Sequence, residues 1–305
     1  SYNQSKMERL PGLSGSVSEA LSHTQGTSAA WTGNVGVDVG LTLFQGGNIK
    51  NTIEQNKLQM EQAGYQTAKY DNELTIQILQ TFLTILGNEE LLKYQQSVIV
   101  ASEEQLKQGY EQYIAGKILE SDYLMLEAQL ASDRNSVVET KASRDNNLLS
   151  LKALLSMDMG VNLQIISPDT TVITEMQVIT TQNYVTGRAM ETLPDLTILD
   201  YGVEIAKTGV EIARSGYYPT LSLSGSLSTG HADFSGFSSQ LSDRFNQKAG
   251  LSLSVPIFNR GRTKAQVTKS KISLQQAELS QKQNELTVLQ TVIQEYRNVE
   301  TALDK

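Results

Sequence analysis

Between Asn34 and Leu43 apolar and small or polar residues alternate without a break. Val35, Val37, Val39, Leu41 and Leu43 take the odd positions, and Asn34, Gly36, Asp38, Gly40 and Thr42 the even ones. A period of two marks a β-strand with one dry face and one wet face. The pattern returns as Leu221, Leu223 and Leu227 against Ser222, Ser224, Ser226 and Ser228. It returns again as Leu251, Leu253, Val255 and Ile257 against Gly250, Ser252 and Ser254. A weaker segment carries Leu13, Val17 and Leu21, with Glu19 intruding on the apolar side. Each segment spans roughly ten residues, enough to cross a bilayer at a tilt and longer than the five or six usual in soluble sheets. Two soluble hairpins packed on a core are the ordinary alternative. Strand length, and a polar face built almost wholly from Ser, Gly, Thr and Asn, favour a membrane barrel with a wet lumen. The lumen face is then expected to carry Asn34, Asp38, Thr42, Ser222, Ser224, Ser252 and Ser254, with Asp38 near its middle biasing ion passage.

The segments form two copies of one unit. Arg9-Leu10-Pro11-Gly12-Leu13 is echoed by Tyr217-Tyr218-Pro219-Thr220-Leu221, and Gly40-Leu41-Thr42-Leu43-Phe44-Gln45-Gly46-Gly47 by Ser254-Val255-Pro256-Ile257-Phe258-Asn259-Arg260-Gly261. In each copy a proline opens an alternating segment, a polar loop follows, and a second segment ends in an aliphatic-Phe pair before a long proline-free stretch. Four strands cannot close a barrel, and an open edge in hydrocarbon leaves backbone groups unpaired. The barrel must be shared between chains; two copies give eight strands and three give twelve, and parity does not choose. Trp31, Phe44, Tyr217, Tyr218 and Phe258 lie at strand ends, where amphipathic rings favour the membrane interface.

From Asn48 to about Tyr113 there is no proline and no turn cluster, so one helix of roughly 100 Å is expected at 1.5 Å per residue. Leu74, Ile78, Phe82, Ile85, Leu92, Ile99 and Leu106 step by three, four or seven, as in coiled-coil packing. Gly116 interrupts the run, and Ser121 or Asp122 is the expected N-cap of a return helix reaching about Leu155. Its expected seam is Leu124, Ala128, Ala131, Val138, Ala142 and Leu149. Around Pro168, the pairs Val172-Ile173 and Val178-Ile179 suggest short strands or an irregular belt. Leu199, Val203, Ala206, Val210 and Ala213 then mark a helix leading to Pro219, and another long helix starts near Thr263. The fold class is α+β, mostly α. Its expected parts are a first hairpin (1–47), a helical hairpin (48–155), a belt (156–195), a helix (196–218), a second hairpin (219–258) and the start of a further long helix (259–305).

The remaining chemistry is sparse. A net charge of −8 without a basic stripe argues against nucleic acid, and Arg260 to Lys264 is the start of a solvated helix. No cysteine is present, which removes disulfides and thiolate sites. His23 and His231 fall in separate polar loops and do not assemble a triad or a metal site. The stretch Gly109 to Gly116-Lys117 has six residues between its glycines where a phosphate loop has four, and Ile118 replaces its Ser or Thr. Glu89-Glu90 and Glu103-Glu104 are adjacent on a helix and therefore diverge. No cofactor, metal or catalytic residue is expected. No apolar run reaches the roughly 18 residues of a transmembrane helix, and Ser1-Tyr2-Asn3-Gln4 is no signal peptide. Either the protein is cytosolic, or its leader lies outside this sequence and it meets a membrane by another route.

Three pieces carry a family resemblance. They are Ile212-Ala213-Arg214-Ser215-Gly216-Tyr217-Tyr218-Pro219-Thr220-Leu221-Ser222, Val255-Pro256-Ile257-Phe258-Asn259-Arg260-Gly261-Arg262, and Tyr113-Ile114-Ala115-Gly116 with Ser121-Asp122-Tyr123-Leu124 and Ala128-Gln129. In this order and spacing the chain resembles the TolC-like outer membrane efflux protein family over nearly its whole length. The resemblance implies a homotrimer in the outer membrane of a Gram-negative bacterium, with a shared twelve-stranded barrel in outer-membrane lipid. Below it the helices would form a trimeric α-barrel tunnel in the periplasm, with residues 156–195 in a belt around it. It also implies a passive exit duct for efflux or type I secretion, docked to a periplasmic adaptor (membrane fusion) protein and served by an inner-membrane RND or ABC-type transporter. The adaptor-contacting tip would be Tyr113, Ala115, Gly116, Lys117, Ser121 and Asp122; Gln112 stands where the family often has arginine. The spacing from Phe44 to Gly116 puts a second tip near residue 330, past the sequence, together with any acidic constriction; the leader, the first helix and the final return helix are also expected to lie outside it. The competing reading from another class is a soluble coiled-coil structural or scaffold protein with small β-hairpins, which predicts solubility without detergent.

Overall fold

The structure is a computed structural model that describes residues 2–23, 30–167, 181–232 and 245–303. The described elements run α1 (Tyr2–Met7), β1 (Gly12–Ser22), β2 (Ala30–Gln45), α2 (Asn48–Ile114), α3 (Glu120–Leu154), α4 (Gln182–Thr192), α5 (Pro194–Ser215), β3 (Thr220–Ala232), β4 (Phe245–Ser254) and α6 (Arg262–Leu303). The chain divides into two compact units, residues 1–67 with 180–305, and residues 68–179. Of the expected belt, Pro168 and the pairs Val172-Ile173 and Val178-Ile179 lie outside the described residues. The stretch from Gln182 to Thr192, expected as irregular, is the helix α4.

In the first unit the four strands form one antiparallel sheet in the order β1-β2-β3-β4. The central pair, β2 with β3, joins the two repeat copies across the intervening helices. Cross-strand partners share a face, so the register settles the alternation. Leu13, Val39, Gly225 and Ala249 form one row, and Leu41, Leu223 and Leu251 another. Two expectations change at strand ends. Leu43 is the extra residue of a bulge between Thr42 and Phe44, so Phe44 stands opposite Leu221. β4 ends at Ser254, and Val255 and Ile257 leave the ladder beside Pro256, which has no N–H to donate.

Both strand-to-helix passages use the same turn. Gly46 and Gly47 have φ of 56° and 83°, and Arg260 and Gly261 have φ of 57° and 74°. Each copy then opens its helix with a matching bond, Asn51 N–H to Gly47 O at 3.0 Å and Ala265 N–H to Gly261 O at 2.9 Å. Both helix starts converge on the end of α5. Asn48 Nδ2 donates to Ser215 Oγ at 3.0 Å, and Thr263 Oγ1 donates to Gly216 O at 3.4 Å.

The α5 seam follows the expected spacing: Leu196, Val203, Val210 and Ala213 are buried, with Leu199 and Ala206 half-buried. Against it α2 sets polar residues at heptad steps. Gln55 Nε2 donates to Ile205 O at 3.2 Å and Gln62 Nε2 to Ile198 O at 2.9 Å. Gly209 and Gly202 lie beneath these two amides and let them reach the α5 backbone. Tyr65 and Tyr201 pack with ring centroids 5.6 Å apart. α6 packs on both α5 and α4.

The second unit contains an antiparallel pair made by the remainder of α2 and by α3. On α2 the expected seam largely holds: Ile85 is fully buried and Ile99 nearly so, while Leu74 is exposed. On α3 it lies on a different line of the helix. The inward residues are Leu130, Thr140 and Leu151, and the expected Leu124, Val138 and Leu149 are exposed, Val138 by 64%. The expected alanines Ala128, Ala131 and Ala142 are exposed with them. The pair is joined through polar groups that apolar periodicity does not register: Ser102 Oγ donates to Asp133 Oδ2 at 2.5 Å, Arg134 Nη2 to Glu103 Oε1 at 2.8 Å, and Asn88 Nδ2 to Ser143 Oγ at 3.3 Å.

A Cβ on Gly46 would stand 2.5 Å from Tyr218 Cβ and 2.8 Å from Ser215 O. Gly46→Ala is therefore expected to destabilise by about 2–4 kcal/mol, combining left-handed strain with overpacking. Arg260→Gly relieves the same backbone strain and is expected to be neutral or stabilising by up to about 1 kcal/mol. Thermal loss of the helical circular-dichroism signal checks both.

Candidate functional site

The sheet's two faces differ in chemistry, and one protomer covers neither of its outer strands. Every residue of β1 and β4 is exposed, including Leu13 at 76% and Leu253 at 63%. The apolar face runs from Leu221 and Leu253 at the helix end to the row Val17, Val35, Thr229 and Phe245 at the far end. Phe245 and Leu253 are eight positions apart, roughly 27 Å along a strand and about 20 Å in height at a 40° tilt. That approaches the apolar band of about 25 Å on membrane barrels, and exposed Val255, Ile257 and Phe258 continue it toward the helices.

Of the aromatics expected at strand ends, Phe44, Tyr217, Tyr218 and Phe258 gather at the helix end of the sheet, all exposed. Trp31 pairs with Leu21 through the backbone, and its side chain lies outside the described residues. Phe245, which the alternation pattern did not single out because Gln247 interrupts its strand, is the aromatic at the opposite end of the band.

The seven residues expected on the wet face do share one face. Thr42, Ser222 and Ser252 form a row; Ser224 pairs with Gly40 and Gly250, Asn34 with Ser18 and Gly230, and Thr220 with Ser254. Asp38 stands between Ser14 and Ser226. Lys248, also on this face, was not among the expected lumen residues because Phe245 to Lys248 precedes the clear alternation of β4.

At the far end of the helical pair, Tyr113, Ala115, Gly116, Lys117, Ser121 and Asp122 come together at the α2–α3 turn. Gly116 has φ 68°. Lys117 N–H donates to Gln112 O and Gly116 N–H to Tyr113 O, both at 2.9 Å, which is a Schellman closure of α2. The next helix begins differently from expectation: the N-cap is Leu119, whose side chain has no acceptor, and neither Ser121 nor Asp122 occupies that position. Asp122, three residues on, reaches back so that its Oδ2 accepts the Leu119 N–H at 3.2 Å. Tyr123 brackets the turn, stacked on Tyr113 and tilted against Tyr110, each with centroids 5.7 Å apart.

Gly109 is inside α2 and packs toward Leu126, so the stretch before Lys117 is helix rather than a phosphate-binding loop. Glu90 is paired with Lys93 and Glu103 with Arg134. Among the described residues no three His, Asp or Glu side chains are grouped to hold a metal ion.

A four-stranded antiparallel sheet whose strands run at one end into long antiparallel helices defines the class of fold. The chain belongs to the outer membrane efflux protein family, whose model matches residues 1–156 and 185–305. It is 24% identical over 324 residues to the cation efflux system protein CusC of Escherichia coli K12, covering 99% of this chain and 64% of CusC. The chain thus spans just under two-thirds of that relative's length. Its fold is that of the CusC crystal structure, at a TM-score of 0.81 and 17% identity over 99% of this chain and 70% of that one. The outer-membrane channel OprN gives 0.80 and 19%, with 99% and 68% covered.

Residues 1–305 contain no cysteine, so a single substitution places one thiol on one face of the sheet. In the membrane-inserted protein, Ser224→Cys and Ser252→Cys are expected to react with a charged, water-soluble thiol reagent about tenfold or more faster than Leu223→Cys and Leu251→Cys, because only a hydrated thiol ionises readily. Equal or reversed rates would show that the wet and dry faces are misassigned.

Proposed function

We propose that the chain is a subunit of a homotrimeric outer-membrane exit duct that passively conducts substrates of an efflux or type I secretion system from the periplasm to the exterior. The observation that carries this reading is the sheet: apolar and exposed on one face, small and polar on the other, with two outer strands each paired on one side only. Three copies would join β4 of one to β1 of the next and close twelve strands around water, which hydrocarbon demands of any spanning sheet. The exposed α3 stripe of Leu124, Ala128, Ala131, Val138, Ala142 and Leu149 supports the same assembly, since small residues let a neighbouring helix approach closely.

In this reading residues 1–47 and 219–258 are the barrel hairpins and 48–155 a periplasmic helical hairpin. Residues 156–195 are the belt, 196–218 the helix leading to the barrel, and 259–305 the start of a second long periplasmic helix. The tip around Gly116 and Lys117 is the contact for a periplasmic adaptor, which couples the duct to an inner-membrane RND or ABC-type pump. Transport energy comes from that pump, and the duct performs no chemical step. Family membership supports the adaptor and pump as partners; the exposed Lys117 beside a rigid Schellman turn supports the tip as their contact.

Expressed as the complete gene product, the protein is expected to fractionate with the outer membrane, extract in detergent at three times the protomer mass, and open steady conductances in planar bilayers. A detergent-independent soluble monomer without conductance would favour the scaffold reading instead. Lys117→Glu is expected to leave the trimer and its conductance intact while weakening adaptor binding about tenfold, as loss of a central interface contact does; unchanged adaptor affinity would remove the tip from the docking surface.

A further inference from the structure

The polar face of the described strands carries two ionised side chains, and the register puts both in one row. Asp38 on β2 is opposite Ser226 on β3, and Ser226 is opposite Lys248 on β4; Ser14 completes the row on β1. We infer that Asp38 and Lys248 form a compensated charge belt that holds this level of the barrel lumen near ionic neutrality, an inference that rests on the proposed trimeric duct.

Adjacent strands are about 4.8 Å apart, so Asp38 and Lys248 are separated by roughly 10 Å along the row, too far for a direct ion pair. No second charged side chain stands on this face beside either of them among the described strand residues. Along β2 the same-face neighbours of Asp38 are Gly36 and Gly40, and along β4 Lys248 has Gly250 on one side. Both side chains are exposed, and they are the largest in their row. Glycines, serines and Asn246 surround them on this face, and both charged side chains are exposed.

Threefold symmetry multiplies the pair into three carboxylates level with one another and three ammonium groups level with one another. Because β2 and β4 are alternate strands, sign alternates at every second strand around the wall. A 10 Å step along the row, at a strand tilt near 40°, separates the two rings by about 6 Å in height. That is shorter than the screening length of about 10 Å at 0.1 M salt. A permeating ion therefore feels both rings together, and the attraction of one offsets the repulsion of the other. Removing either ring unmasks its partner, in a narrow lumen whose low-dielectric wall focuses the field.

The test is the reversal potential of the full-length protein in planar bilayers under a KCl gradient near 0.1 M. Asp38→Asn is expected to shift the potassium-to-chloride permeability ratio toward chloride by about twofold or more, and Lys248→Gln toward potassium by a similar factor. The double variant returns to the wild-type ratio, and all differences shrink near 1 M salt, where screening shortens to about 3 Å. Open pores whose ratio is unmoved by both single substitutions, or a double variant that keeps a single variant's shift, would overturn the belt. A wild-type protein that inserts but never conducts would instead overturn the duct on which the belt rests.

Discussion

The outer strands of the sheet, β1 and β4, set the terms for the rest of the molecule. Each pairs along one side only, leaving on the other a row of backbone N–H and C=O groups. In water such an edge is a modest liability; in hydrocarbon each unpaired group costs several kcal/mol, and strands of 11 and 10 residues present several apiece. The same strands are fully exposed within the protomer and apolar on one face, so no described helix shields them. Only pairing with further strands relieves both conditions at once. A second copy supplies the same two edges in complementary order, which is why closure by symmetric repetition is the economical outcome.

A sheet whose edges must meet those of another copy needs its strands delivered at fixed angles to the helices. The duplicated junction provides this. Two left-handed residues in succession turn the chain from strand to helix at Gly46-Gly47 and again at Arg260-Gly261, and the helices so launched converge on Ser215 and Gly216 at the end of α5. Glycine is required at Gly46, where Tyr218 closes over the backbone. Position 260 has no such crowding and tolerates arginine at a backbone cost near 1 kcal/mol. The repeat is thus preserved in geometry where packing enforces it and relaxed in sequence where it does not.

How far the sequence discloses this architecture depends on which force specifies each part. The sheet was legible because alternation and register are the same information: once Val35 to Leu41 fall on one face, their partners follow. The α5 seam was legible for the equivalent reason at a period near 3.6. The α3 seam was not. Its inward line runs through Thr140 and past Asp133, residues that hydropathy counts as surface, while a better apolar stripe from Leu124 to Leu149 lies beside it and outward. A stripe read from hydropathy identifies the greasiest face, and on this helix that face is the one left open. The tip shows a smaller version of the same limit. Ser121 and Asp122 have cap chemistry, but the backbone N–H that Asp122 satisfies belongs to Leu119, so the helix starts earlier than composition suggests. Lys248 and Phe245 escaped notice because β4 alternates cleanly only from Ala249 onward, and their roles depend on strands far away in sequence.

That displaced seam bears on how the protomer is stabilised. Within one copy only ten apolar residues of the described chain are buried, and Ile85 alone is wholly so, a thin core for a chain of 305 residues. Contacts inside the protomer are instead rich in amides, hydroxyls and carboxylates at heptad spacing: Gln55 and Gln62 on the α5 backbone, Ser102 on Asp133, Asn88 on Ser143. Polar groups at seam positions fix register at a cost in stability. The apolar stripe that would repay that cost faces outward, on α3 as on the sheet. A chain arranged in this way uses its internal contacts to specify geometry and leaves most of its hydrophobic surface open, and in the proposed trimer its folding free energy is coupled to assembly. In the proposed trimer, lipid would cover the apolar face of the sheet and sister helices the exposed helical stripe.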